Sequence, residues 1–160
     1  LFRSLTEEES IVLHVAELDS ESEMMMPELS SHKCLYSVDV RGIGEMTPSG
    51  VDLFHHDFYD IYSYDYHYTS LGLLTGKSYI GGRVSDLIST VELLKSVNCR
   101  DITLTSLGNS CITALIAVVI GVNVSRLLLY ELPHEWKHAV KDCGSPRKLD
   151  NLHRCKGLLN

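Results

Sequence analysis

The hydrophobic positions of this chain form several short continuous runs and one stripe with helical spacing. Four runs of β-branched and aliphatic residues predict strands over residues 10–18, 34–40, 102–106 and 124–130. The stripe consists of Val84, Leu87, Ile88, Val91 and Leu94 and predicts an amphipathic helix from about Arg83 to Asn98. Other segments predict helices over residues 21–31, 110–120 and 133–140, and a loop over residues 45–58.

The order of these elements predicts an α/β fold. Helices between successive strands act as crossovers, which let the strands run parallel. The segment over residues 110–120 is almost wholly apolar, as expected of a helix that is covered on most sides. We therefore expect a three-layer sandwich with a mostly parallel sheet in residues 1–140, followed by a polar tail in residues 141–160. Functional residues in such sheets gather at the carboxyl ends of the strands.

Composition and charge narrow the classes of partner. The 160 residues suffice for one domain with a core, and 44% of them are apolar, which is typical of a soluble globular chain. A net charge of −7 disfavours nucleic acid and anionic membranes as partners. The chain begins at Leu1 without a signal-peptide pattern, which is compatible with an internal piece of a longer protein.

The cysteines and glycines indicate neither a metal nor a cofactor. Five cysteines are scattered without a CxxC pair or zinc-finger spacing, so we expect no metal site and no disulfide framework. Cys34 and Cys111 lie in apolar segments and are predicted to be buried thiols. Gly42-Ile-Gly44 lacks the rest of a phosphate-binding loop, so we expect no bound nucleotide.

A tyrosine-rich segment occupies residues 57–68. It holds five tyrosines and one phenylalanine. One interpretation is a stacking platform that binds a sugar. The other is a set of amphipathic tyrosines that cover a hydrophobic flank while their hydroxyl groups stay in water.

Two motifs stand at the ends of predicted strands. Asp39-Val-Arg-Gly-Ile-Gly-Glu45 follows the second strand, and Ser106-Leu-Gly-Asn-Ser110 follows the third. With Arg83-Val-Ser-Asp-Leu87 between them, they resemble the α/β-hydrolase superfamily, in the subgroup of acetyl xylan esterases, dienelactone hydrolases and prolyl oligopeptidase-like hydrolases. The resemblance implies an α/β-hydrolase-like fold, truncated relative to complete members, with a serine nucleophile on the turn after the third strand.

That turn reads S-x-G-x-S, whereas an active nucleophile elbow reads G-x-S-x-G. In one alignment Gly108 stands at the nucleophile position, and Ser106 and Ser110 replace the flanking glycines. In the other, Ser110 is the nucleophile and Ile112 stands where the family keeps a glycine. By the resemblance, the next strand starts about sixteen residues after the nucleophile, and Val124 lies 16 residues after Gly108. This spacing favours Gly108, which cannot form an acyl-enzyme.

The remaining candidate residues have a structural interpretation beside the catalytic one. Ser110 is also suited to cap the helix that follows it. The candidate partners for a nucleophilic Ser110 are His134 and Glu131, because both closely follow Tyr130 at the carboxyl end of a predicted strand, although His134 is also interpreted as a surface residue of its helix. Arg41 is predicted to be structural and to tie its loop to Asp39 or another nearby carboxylate such as that of Glu45.

An oxyanion in such a hydrolase is bound by two backbone N–H groups. One belongs to the residue after the nucleophile, and the other comes from a loop near the first visible strand. The corresponding loop here, residues 16–20, carries no glycine.

Two hypotheses about function follow. The first is an α/β-hydrolase-fold domain or fragment that is related to carboxylesterases, lacks the nucleophilic serine and serves as a binding or structural module. Its partner would be another protein or the remainder of a longer chain. The second is an active serine esterase that uses Ser110 on a small-molecule ester or glycan ester. A flavodoxin-like or other doubly wound domain that only mimics the motifs is the third interpretation.

Overall fold

A computed structural model describes residues 10–32, 34–47, 56–97, 99 and 101–132, and only the backbone of residues 56–65. Four parallel strands form one sheet in the order β2-β1-β3-β4. The strands are β1 (Ser10–Val15), β2 (Leu35–Val38), β3 (Asp101–Leu107) and β4 (Arg126–Tyr130). The prediction of an α/β fold with a parallel sheet is confirmed.

Five α-helices and one short 3₁₀ helix connect the strands in the part of the chain that the structure describes. Between β1 and β2 lie α1 (Ser20–Glu23) and α2 (Pro27–Ser30). A 3₁₀ helix (Gly44–Met46), α3 (His56–Thr75) and α4 (Tyr79–Ser96) precede β3. The helix α5 (Ser110–Val119) joins β3 to β4.

The core lies mainly on one face of the sheet, against α4 and α5. On β1 this face carries Ile11, Leu13 and Val15, which belong to the same buried cluster as the α4 stripe. Val84, Leu87, Val91 and Leu94 of that stripe are all buried, as their spacing predicts. The opposite face of β1 carries Val12 and His14, and α1 reaches this face through a contact between Glu23 and His14.

The order of the strands places a topological switch point between β1 and β3. The chain passes from β1 to β2 on one side and then returns to add β3 and β4 on the other side. In open parallel sheets the connections leave a crevice at the carboxyl ends of the two strands that flank such a point. The segments at this crevice are the β1 end, from Ala16 onward, and the β3–α5 turn.

Several element boundaries differ from the predicted ones. The predicted helix over residues 21–31 is two short helices, because Pro27 forces the preceding Met26 into an extended conformation with ψ 139°. The helix α4 begins at Tyr79, before Arg83, because the Ser78 side chain caps it by accepting a hydrogen bond from the Gly81 N–H at 3.1 Å.

Three further element boundaries differ from those predicted from the sequence. The strand β1 ends at Val15 and not at residue 18. The predicted loop over residues 45–58 is wrong at its end, because α3 begins at His56 and includes the whole tyrosine-rich segment. The strand β4 begins at Arg126, two residues later than predicted. The predicted helix over residues 133–140 and the tail in residues 141–160 lie outside the described residues.

None of the helices that the structure describes combines the length and the hydropathy needed to cross a bilayer.

Truncating a core leucine tests this arrangement of layers. Leu13 is 1% exposed and Leu128, on β4, is 38% exposed. We expect Leu13→Ala to lower the free energy of unfolding by about 2–5 kcal/mol, because it leaves a cavity between the sheet and α4. The matched variant Leu128→Ala should cost about 1 kcal/mol or less. Urea denaturation followed by circular dichroism measures both, and equal losses would contradict the described core.

Candidate functional site

The turn between β3 and α5 is short and contains a left-handed residue. Only Gly108 and Asn109 separate Leu107, the last residue of β3, from Ser110, the first of α5. Gly108 has φ +58°, a conformation that costs an L-residue energy but suits glycine. Its N–H donates to the Tyr130 carbonyl at 2.9 Å, which anchors the turn to β4. The chain thus passes from β3 to α5 within two residues.

The structure changes the argument about which residue of the turn aligns with the nucleophile position in the predicted resemblance. Because β4 begins at Arg126, the strand starts 18 residues after Gly108 and 16 after Ser110, so the count from Val124 was wrong as support for Gly108. The backbone provides the better criterion. The left-handed turn residue is Gly108, whereas Ser110 already belongs to the helix.

Both serines of the motif are buried and hydrogen-bonded to the end of β1. The Ser110 hydroxyl donates to the Ala16 carbonyl at 2.7 Å, and Ser110 is 8% exposed. The Ser106 hydroxyl donates to the Val15 carbonyl at 3.2 Å. The prediction that Ser110 caps α5 is wrong, because Asn109 is the N-cap residue and its side chain makes no cap hydrogen bond. The two hydroxyl groups instead join β3 and α5 to β1.

The Glu17 side chain fills the space beside Gly108. Its Oε1 accepts hydrogen bonds from the Asn109 backbone N–H at 3.1 Å and from Asn109 Nδ2 at 3.2 Å. A Cβ atom added to Gly108 would overlap the Glu17 carboxylate. The left-handed backbone therefore favours glycine at this position, and any larger side chain would require the Glu17 carboxylate to shift.

A second carboxylate holds the loop from which Glu17 projects. Glu23 Oε1 accepts hydrogen bonds from the backbone N–H groups of Glu17 at 2.9 Å and Leu18 at 2.7 Å. These N–H groups belong to the loop to which the resemblance assigns part of an oxyanion site. In this chain they bind Glu23, and this bonding also ends β1 before the position predicted from the sequence.

The Glu23 carboxylate is part of a buried polar network that the sequence did not reveal. His14 Nε2 lies 2.7 Å from Glu23 Oε2, and His14 Nδ1 lies 3.0 Å from Thr105 Oγ1. All three side chains are at most 1% exposed, so a substrate in solution cannot reach them. Every buried side-chain nitrogen or oxygen in the described part of the chain has a hydrogen-bond partner. The only sequence signal was a histidine within an otherwise apolar strand.

The loop after β2 is fixed by Asp39 and Arg41, with partners other than those predicted. Arg41 donates through Nε and Nη2 to the Asp86 carboxylate at 2.8 and 2.6 Å, so the predicted pairing with Asp39 or Glu45 is wrong. Asp39 instead accepts from the N–H groups of Ser20 at 2.9 Å and Glu45 at 3.0 Å. The hydrogen bonds from Arg41 lower the pKa of Asp86, and Asp86 in turn raises the pKa of Arg41.

The same contacts join the first motif to α4. The Arg41 carbonyl accepts hydrogen bonds from Arg83 Nε at 3.0 Å and from the Tyr79 hydroxyl at 3.2 Å. Tyr68, at the end of the tyrosine-rich segment, stacks on Tyr79 with ring centroids 5.6 Å apart. Tyr66 is exposed. Of these two tyrosines of the segment, Tyr68 packs against Tyr79 and Tyr66 is exposed to solvent.

The alternative catalytic residues come only partly within the described structure. Glu131 follows β4, has φ +51° and is exposed. His134 lies outside the described residues. Ser110 points its hydroxyl into the backbone at Ala16. The structure thus describes Ser110 and Glu131 of the three alternative residues, and the Ser110 hydroxyl is already bonded to the backbone.

The thiol nearest the turn is not activated. Cys111 is buried, and this burial raises the pKa of its thiol to about 11. Its Sγ donates to the Tyr130 carbonyl at 3.3 Å. Cys34 is half-buried, and Cys99 is buried although its sequence neighbours are polar. The described residues contain no group of three or more side chains placed to hold a metal ion.

Comparisons with protein-family models, with curated proteins and with solved structures found no match for this chain.

Substitution of Gly108 separates the effect of the left-handed backbone from the effect of the neighbouring Glu17 carboxylate. Gly76 is a matched control, because its φ is +68° and nothing lies within 4 Å of an added Cβ. We expect Gly76→Ala to lower the free energy of unfolding by about 1–2 kcal/mol through the left-handed backbone alone. Gly108→Ala should cost at least about 1 kcal/mol more, because its Cβ displaces Glu17. Equal losses in urea denaturation would show that Glu17 does not constrain this position.

Substitution of Asp86 tests the link between the first motif and α4. The pair with Arg41 is partly exposed, so Asp86→Asn should cost about 0.5–1 kcal/mol at neutral pH. Because the folded pKa of Asp86 is lowered from 3.8, its stabilisation is present above that value and is lost as the pH falls through the lowered one.

The difference between Asp86→Asn and the wild type should therefore shrink below about pH 4. Urea denaturation at neutral and acid pH measures it. Glu92→Gln, at an exposed position of the same helix, serves as the control and should leave stability nearly unchanged. A difference that persists undiminished in acid would contradict the assignment to ionised Asp86.

Proposed function

We propose that this chain is an α/β-hydrolase-like domain that lacks the catalytic nucleophile and serves as a binding or structural module. The observation that carries the proposal is Gly108, which occupies the left-handed position of a sharp β3–α5 turn. A glycine supplies no atom that can attack an ester carbonyl. The domain would be truncated relative to complete members of the superfamily, and it would bind a partner protein or the remainder of a longer chain.

The surroundings of the turn support this proposal in a second way. Hydrolysis of an ester needs free N–H donors to stabilise the oxyanion of the tetrahedral intermediate. The Asn109 N–H is bonded to Glu17, and the N–H groups of Glu17 and Leu18 are bonded to Glu23. A substrate carbonyl would have to compete with two internal carboxylates.

The active-esterase alternative is disfavoured by the state of Ser110. Ser110 is 8% exposed and its hydroxyl donates to a backbone carbonyl, so the hydroxyl would have to break that bond and turn outward before attack. The flavodoxin-like interpretation shares the strand order seen here. The left-handed glycine and the buried serines at the β3–α5 turn favour the hydrolase-like scaffold.

A fluorophosphonate probe tests the absence of a nucleophile. We expect no labelling of the folded protein, because neither Gly108 nor the bonded Ser110 can attack phosphorus. Intact-protein mass spectrometry measures the adduct, and an active serine hydrolase treated in parallel shows that the probe is competent. Stoichiometric labelling that maps to Ser110 and disappears in Ser110→Ala would overturn the proposal and establish the esterase alternative.

A further inference from the structure

The strand β4 lies at the edge of the sheet but has the composition of an interior strand. Among the described residues only β3 pairs with it, so alternate backbone N–H and C=O groups of β4 point away from β3. Its sequence, Arg-Leu-Leu-Leu-Tyr, has one charged residue at the start and four apolar or aromatic residues after it. Near-continuous runs of this kind are typical of parallel strands that are covered on both faces.

The strand also lacks the features by which edge strands avoid pairing with other chains. Such strands are commonly interrupted by a proline or a bulge, or they carry lysines and inward-pointing charges. β4 has no proline, and its residues pair with β3 in one continuous register. On the face of the sheet that carries His14, Leu128 and Tyr130 are 38% and 36% exposed. β4 therefore offers an apolar edge to which a further strand can pair.

The helix that precedes β4 adds apolar surface on the other face of the sheet. α5 packs on β3, β1 and α4. Leu115 and Val119 of this helix are nevertheless exposed, and no charged residue occurs from Ser110 to Ser125. Exposed apolar surface without charge is typical of sites at which another molecule packs.

The sequence of β4 is complementary to itself in the antiparallel direction. When Leu128 lies opposite Leu128 of a second copy, Leu127 lies opposite Leu129, and Arg126 lies opposite Tyr130. Directly opposite residues project from the same face of a sheet, so each of these pairs can make contact. The register joins leucines at the centre and places each guanidinium beside a tyrosine ring, where a cation–π contact is favourable.

The charges at the two ends of β4 favour the same direction. Arg126 begins the strand, and Glu131 follows its last residue. Antiparallel pairing brings the positive start of one strand to the acidic end of the other, which is complementary. Parallel pairing in register would instead place the two arginines side by side, and like charges in that position are destabilising.

We propose that two copies of this chain pair through β4 in antiparallel orientation and join their four-stranded sheets into one continuous sheet. The dimer has twofold symmetry, with Leu128 of both copies at the axis. It depends on β4 and not on the β3–α5 turn, so it goes beyond the proposed function and holds whether or not Gly108 replaces a nucleophile.

The small size of the shared edge sets the strength of the dimer. One pair of five-residue strands forms a small interface, so we expect a Kd on the order of 10–100 μM. At concentrations well below this value the chain is monomeric, and the unfolding of Leu128→Ala then reports the monomer alone.

Sedimentation equilibrium of the full chain, over concentrations that bracket this Kd, is the first test. The wild type should show a reversible monomer–dimer equilibrium. Leu128→Lys should weaken it at least about tenfold, because it removes the central leucine pair and opposes two like charges. Leu93→Lys, at an exposed position of α4, is the matched control and should leave dimerisation unchanged. Circular dichroism shows whether each variant is folded.

A mixing experiment tests the register. Leu128→Lys and Leu128→Asp should each be monomeric at a concentration where the wild type is dimeric. An equimolar mixture of the two should recover the dimer, because residue 128 of one copy faces residue 128 of the other and the charges are then opposite. Recovery by mixing also shows that neither substitution acts by unfolding the chain.

Three outcomes would overturn the dimer. The first is a wild type that stays monomeric over the whole range, as it would if another segment of the chain or a different partner covered the edge. The second is a dimer that Leu128→Lys leaves intact. The third is a mixture of the lysine and aspartate variants that does not associate.

A further variant replaces Leu128→Lys if that protein does not fold. Arg126 is exposed, so Arg126→Glu alters the edge without disturbing the core. It should weaken the dimer about fivefold or more, because it removes the cation–π contact at both ends of the paired strands. An unchanged Kd in Arg126→Glu would count against the proposed register.

Discussion

The parallel pairing of β1 with β3 is the constraint on which the rest of this structure depends. It sets Val15 opposite Ser106, so the segments that follow β1 and β3 leave the sheet side by side. Two residues further along each chain, Glu17 meets Gly108, and the hydroxyl groups of both motif serines bond to backbone carbonyls at the β1 end. A shift of one residue in this register would turn the buried apolar residues of β1 away from α4 and would separate these contacts.

The carboxylates of Glu17 and Glu23, from the β1–α1 segment, accept hydrogen bonds from different N–H groups at the carboxyl ends of β1 and β3. Glu23 is buried and satisfies the backbone of the loop, while Glu17 is half-buried and satisfies the start of α5. Buried N–H groups without a partner are costly, so a scaffold that binds no substrate at this place needs internal acceptors. Glu17 and Glu23 provide these acceptors at the β3–α5 turn and in the loop after β1.

The motifs of the sequence contribute to this scaffold in ways that do not require catalysis. Arg41 and Asp86 join the loop after β2 to α4, and Tyr79 and Arg83 of α4 both donate to the Arg41 carbonyl. Arg41 belongs to the first motif, and Arg83 and Asp86 belong to the segment Arg83–Leu87 that contributes to the resemblance to hydrolases; all of them make structural contacts here. Such residues can be retained in a protein that does not catalyse ester hydrolysis, because they hold the loops near the β3–α5 turn.

The sequence by itself determined the class of fold, the four strands, the stripe of α4 and the position of the β3–α5 turn, because these depend on local hydrophobic periodicity and on glycine. It did not determine which carboxylate Arg41 binds or where β1 ends, since partners distant in the chain decide both. The predicted start of β4 at Val124 was also two residues too early. Only the tertiary structure could show that Glu17 fills the space beside Gly108, because the two residues are 91 positions apart and meet through strand pairing.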